Sequence, residues 1–206
     1  MLTTELVAAP RPAQRLLVVL HGLGDSMEGY RWVPQALALS DVDVLLVNAP
    51  DDYYGGFSWY DIYEDPIPGV TRSRDAMHAL LEQMRGEGYA SRHTAIMGFS
   101  QGGLMTTEMA LTHSEELAGL VSISGYVFQP ETVAERAPAI SKNQKLLVTH
   151  GRADDVVPMS RAKPQYAALR EAGWAIDWRE YAKGHTIDPI CELPEIRAFL
   201  QSAFQA

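Results

Sequence analysis

The chain has 206 residues, 47% of them hydrophobic, and 17 basic against 26 acidic side chains give it a net charge of −9 at neutral pH. That length can bury a sizeable core without a metal or disulfide staple, and one domain over residues 1–206 is expected. The acidic balance excludes a binder of phosphate backbones, the lone Cys191 excludes an intramolecular disulfide, and no apolar run approaches the ~18 residues that span a bilayer.

The first residues, Met1 to Pro12, hold Glu5 and two prolines and no basic start leading into an apolar run, so a cytoplasmic protein without a signal peptide is expected. Short apolar runs follow at Leu16–Leu20, Val42–Val47, Thr94–Met97, Leu120–Ile123 and Leu146–Val148. Without polar alternation they read as strands buried on both faces of a parallel sheet. A sixth strand is expected over Ala175–Tyr181. Helical spacing occupies Arg72–Met84, Gln101–Ser114, Arg161–Ala172 and Pro194–Phe204, where Pro194 suits a first turn. The alternation predicts βαβ units in a doubly wound, mostly parallel α/β fold. Pro50–Gly69 reads as a long loop whose aromatic density argues against disorder. Ser124–Gln144 is too short for an independent domain, so no cap domain is expected over the sheet.

Gly98-Phe99-Ser100-Gln101-Gly102 carries the chemistry. A G-x-S-x-G between a strand and a helix is a nucleophile elbow, in which a sharp turn lifts the serine hydroxyl above the sheet edge. The competing reading is a glycine-rich turn with an idle serine. A serine nucleophile needs a base, and in elbow-type hydrolases the chain order is Ser, then acid, then His. Of the six histidines, only His185 follows the candidate acids. The acid is expected just past the strand ending near Thr149, where Asp154 and Asp155 compete on equal physical terms. An oxyanion hole would take the N–H of Gln101, at the start of a helix, and an amide from the loop His21-Gly22-Leu23-Gly24-Asp25. His21 itself reads as structural.

These motifs, with Ser58-Trp59-Tyr60-Asp61, the His150-Gly151…Asp154…Val157-Pro158 stretch and Gly184-His185, resemble the phospholipase/carboxylesterase family of α/β-hydrolases, in order from about residue 15 to the C-terminus. Acyl-protein thioesterases and small bacterial carboxylesterases are its best-known members. The resemblance implies a Ser100–His185–Asp154 triad and an oxyanion hole from the N–H groups of Leu23 and Gln101. It chooses Asp154 because that residue holds the acid position of the family's His-Gly-x-x-Asp pattern. Tyr60 stands where phenylalanine is common, and Asp155 where proline often follows the acid.

The expected reaction is two-step acyl transfer through an acyl-enzyme, with no metal or cofactor. An open groove is expected, with Met27, Trp59, Tyr126, Phe128 and Val157 as its acyl wall. The substrate would be a small ester with a short to medium acyl chain. The acidic surface disfavours anionic membranes and tilts the choice away from an acyl-protein thioesterase or a lysophospholipase. A catalytically silent binding module is the alternative from another class, and such modules usually lose part of the triad. No nucleic-acid partner and no membrane insertion are expected, and a homodimer stays open.

Overall fold

A computed structural model describes residues 1–205. Its scaffold is a seven-stranded sheet in the order β1-β3-β2-β6-β7-β8-β9. The strands are β1 (Thr4–Val7), β2 (Arg15–Leu20), β3 (Val42–Val47), β6 (Thr94–Phe99), β7 (Gly119–Ile123), β8 (Leu146–Gly151) and β9 (Ile176–Tyr181). All neighbours run parallel except β1, which pairs antiparallel with β3 from Thr4↔Val47 to Val7↔Val44.

Period-two alternation sends successive strand residues to two different cores. Leu16, Val18 and Leu20 of β2 join Ile96, Leu120 and Val148 on one face. Leu17 and Val19 join Ala95, Val121 and Leu147 on the other. The first face is covered by α2 (Pro66–Gly86), α3 (Gln101–Thr112) and α5 (Met159–Glu171), the second by α1 (Val33–Leu37) and α6 (Glu192–Ala203). The expected doubly wound sheet is therefore the one present. Between β7 and β8 the chain makes only short 3-10 turns and the one-turn helix α4 (Val133–Arg136). No cap domain covers the sheet among the described residues. No helix among them is long and apolar enough to cross a membrane.

The segment 50–69 departs from the loop expectation. It folds as a hairpin of β4 (Asp51–Tyr53) and β5 (Gly56–Ser58), and its last residues already belong to α2. Two prolines, Pro66 and Pro68, hid that start. In a first turn the amides have no intrahelical acceptor, so a missing N–H costs nothing there. Asp65 caps the helix, its Oδ1 accepting from Ile67 N at 3.0 Å. A Cβ on Gly69 would lie 2.8 Å from Tyr60 Cβ, so a glycine lets α2 pack against the segment feeding the site.

Candidate active site

Ser100 sits between β6 and α3 with φ 56° and ψ −114°. A left-handed backbone at a residue with a Cβ costs about 1–3 kcal/mol and persists only where the surroundings enforce it. They do so here from both sides. The Ser100 amide donates to Ile123 O at 2.9 Å. A Cβ on Gly98 would overlap the Gly102 carbonyl, and one on Gly102 would overlap the Leu20 carbonyl. The glycines on either side of the serine thus let strand, turn and helix close tightly, and the serine is left pointing away from the sheet.

His185 arrives from the loop between β9 and α6. Its Nε2 lies 2.9 Å from Ser100 Oγ, and its Nδ1 lies 2.9 and 3.0 Å from the two carboxylate oxygens of Asp154. The Asp154 side chain is wholly buried. Burial pushes its carboxyl up, but the His185 bond and the Val157 amide (2.8 Å) pull harder, and the net shift is below the usual carboxylate range. Asp155 is exposed, and the carboxylate that meets His185 Nδ1 is that of Asp154.

Both loops are held from behind. Arg152 N and Ala153 N donate to Tyr181 O and Lys183 O, at 2.9 and 3.0 Å, lacing the acid loop to the histidine loop. His150, buried and stacked on Trp178, donates from Nε2 to Val157 O at 2.8 Å and so braces the acid loop. Lys183 Nζ meets both Glu192 carboxylate oxygens at 2.5 and 2.6 Å and also donates to Thr186 O at 2.7 Å. Glu192 accepts in turn from Asp188 N at 2.8 Å. This buried pair closes the 183–192 loop around His185. Removing one partner strands a charge in the interior. Glu192→Gln is therefore expected to cost about 3–5 kcal/mol in urea unfolding, whereas Lys183→Met combined with Glu192→Met recovers most of that loss.

The loop after β2 lies opposite. Gly24, at φ 76°, turns it, with Asp25 N donating to Gly22 O at 3.2 Å. The β4–β5 hairpin backs this turn through Gly24 N to Phe57 O and Phe57 N to Asp25 O, both 2.9 Å. The N–H groups of Leu23 and Gln101 are taken by no acceptor among the described residues. Both residues line the same cleft as Ser100. His21 is buried, donating from Nδ1 to Gly22 O at 2.6 Å and accepting from Ala49 N at Nε2 (3.0 Å), which fits a structural residue.

The Gln101 side chain has a part that motif reading missed. Its Oε1 accepts from Trp59 N and its Nε2 donates to Tyr60 O, each at 2.9 Å. This ties the Ser58–Tyr60 strip to the elbow. In the sequence this strip stands as a separate motif, with Trp59 read as an acyl-wall residue and no link to Gln101.

The cleft above Ser100 has a volume of about 580 Å³. Of the five expected wall residues it contains Tyr126 and Val157. The other three need correction. Trp59 is completely buried and donates its indole N–H to His21 O at 2.9 Å, bracing the 21–25 loop. Phe128 packs in the core beneath α3, its carbonyl accepting from Arg136 at 2.7 Å. Met27 packs on the opposite core, its amide donating to Asn48 Oδ1 at 2.7 Å. Large apolar side chains near a site were absorbed by the interior, and the cleft is walled instead by Tyr60, Ile62, Phe99, Tyr126, Val156 and Val157.

Four histidines, His21, His78, His113 and His150, are lowered below the ordinary value of 6.5 chiefly by burial. A depressed histidine contributes stability that is fully present above its unfolded value and lost as pH falls below it. Glu108, raised by burial against the pull of Arg136, acts in the opposite sense, but it is one group against four. Melting at about pH 5 is therefore expected at least about 5 °C below melting at about pH 7.5. An unchanged or rising Tm on acidification would contradict the neutral, buried state of these rings.

Comparisons with known proteins agree with the geometry. A family model described as phospholipase/carboxylesterase matches residues 2–203. Acyl-protein thioesterase 1 of Gibberella zeae is 26% identical over 211 residues, covering 90% of this chain and 88% of its own. Carboxylesterase SOBER1 of Arabidopsis thaliana is 28% identical over 193 residues, covering 85% of each chain. Among solved structures, esterase PE8 superposes with a TM-score of 0.88 at 25% identity, over 98% of this chain and 99% of its own.

Proposed function

The chain belongs to the phospholipase/carboxylesterase family, and on that premise we propose that it is a serine carboxylesterase cleaving esters of short to medium acyl chain with Ser100, His185 and Asp154 as its triad. His185 Nε2 takes the Ser100 proton as Oγ attacks the ester carbonyl. The developing oxyanion is met by the amides of Leu23 and Gln101. Asp154 fixes the tautomer that keeps Nε2 free to accept and stabilises the imidazolium once formed. The imidazolium then protonates the leaving alkoxide. Water, deprotonated by the same nitrogen, releases the acid and restores the serine.

The observation that carries this reading is the unbroken run of hydrogen bonds from Ser100 Oγ through His185 to Asp154, at the floor of an open cleft beside two free amides. A silent binding module has no use for all of these parts together. The acyl chain would lie along Tyr126, Val156 and Val157, with Val156 and Ile62 giving the rim an exposed apolar edge. Thioester cleavage is the second reading, favoured because several relatives are acyl-protein thioesterases and the same triad serves both leaving groups. A panel of aryl esters and acyl thioesters of increasing chain length tests both. Esterase activity should peak at short to medium chains. A profile flat in chain length would remove the apolar acyl groove, and higher kcat/KM on thioesters throughout would favour the second reading.

A further inference from the structure

One corner of the cleft has a chemistry that hydrolysis of a plain alkyl ester does not use. Tyr60 is 3% exposed, and its hydroxyl lies 2.7 Å from the hydroxyl of Tyr126. One phenol donates to the other in that contact, so one of the two protons stays unspent. No protein acceptor takes it among the described residues. Arg161 lines the same cleft, its guanidinium carbon 4.8 Å from the centroid of the Tyr126 ring. Stacking on the ring fixes the plane of the guanidinium without engaging its N–H groups. No carboxylate lies within 4.0 Å of it among the described residues, although Asp61 and Glu64 line the same cleft.

A cation with free donors beside a hydroxyl pair with one spare proton matches a planar anion with two oxygens. Its side of the cleft follows from the leaving group. The departing alkoxide must reach His185 Nε2, and a separate depression lined by Asp25, Tyr30, Phe99, His185 and Ile187 opens there. Tyr60, Tyr126 and Arg161 take no part in that depression, which leaves them to the acyl portion.

We propose that Arg161, with the Tyr60–Tyr126 hydroxyl pair, recognises a carboxylate at the far end of the acyl chain, so that half-esters of dicarboxylic acids form a preferred substrate class. This rests on the hydrolase reading above and narrows it. With a net charge of −9 on the whole chain, the general field repels such a substrate, so the preference must come from this local contact.

The test compares kcat/KM for two para-nitrophenyl esters, the pentanoate and the glutarate half-ester. They match in carbon count and leaving group and differ in the terminal carboxylate. The wild-type enzyme should favour the glutarate. The glutarate-to-pentanoate ratio should fall about tenfold or more in Arg161→Gln, the loss expected of a hydrogen bond to a charged group. It should fall less in Arg161→Lys, which keeps the charge and loses the fork, and it should fall in Tyr60→Phe. A wild-type ratio below one, or a ratio that Arg161→Gln leaves unchanged, overturns the carboxylate site while pentanoate turnover leaves the hydrolase reading standing. Failure to turn over either ester overturns the hydrolase reading and this proposal together.

Discussion

Replacing Ser100 with alanine is expected to lower kcat on any accepted ester by about 10⁵–10⁶-fold, with the residual rate left to the oxyanion amides and substrate binding. The size of this loss follows from the geometry. Among the described residues, the hydroxyl is the only side-chain group at hydrogen-bond distance from His185 Nε2 opposite Asp154, at 2.9 Å. Once it is gone, the imidazole has nothing to activate but water. The fold should survive, because Ser100 Oγ makes its bond to His185 alone and the elbow is held by the Ser100 amide and by glycine packing. Alanine keeps a Cβ at φ 56° and so keeps the strain. Glycine relieves it, and Ser100→Gly is expected to be more stable than Ser100→Ala by up to about 1 kcal/mol. Equal circular dichroism and lost turnover in both variants would separate chemistry from folding.

The second large effect separates two neighbouring acids. Asp154→Asn should lower kcat by about 10⁴-fold, because an amide in place of the carboxylate presents its N–H to Nδ1 and favours the wrong tautomer. Asp155→Asn should stay within about twofold, since Asp155 is exposed and contacts no part of the Ser100–His185 pair. A reversed ranking would mean that the acid loop rearranges around His185. The Asp154 variant keeps Oδ1 as the acceptor for Val156 N and Val157 N, at 3.1 and 2.8 Å, so its stability should change far less than its rate.

How far the sequence disclosed this arrangement depended on whether a signal was local. Strands buried on both faces announce themselves as unbroken apolar runs, and β2, β3, β6, β7 and β8 fall on the predicted runs with ends shifted by at most three residues. The elbow was legible because the two glycines flanking the serine are required there by contacts within the motif and its neighbouring elements. The edge strand β1 was not, since it is short, half-exposed and defined by its partner β3. The hairpin behind the 21–25 loop was hidden likewise, because three-residue strands carry too little periodicity.

The substrate wall shows the same limit in another form. Composition could nominate aromatic residues on loops, but only packing decides which of them fill the core. Trp59 and Phe128 went inward, and Tyr126 stayed at the surface of the cleft. The supports of His185 were invisible for a different reason. Lys183 and Glu192 read as surface charges until the loop between them closes and buries both.

Labelling with a fluorophosphonate followed by peptide mapping tests most directly whether Ser100 is a nucleophile made reactive by His185. The predicted result is one covalent adduct, on Ser100, formed rapidly by the wild-type protein and reduced to background in His185→Ala. Absence of an adduct from the folded protein, or labelling of Ser100 at the same rate without His185, would contradict it.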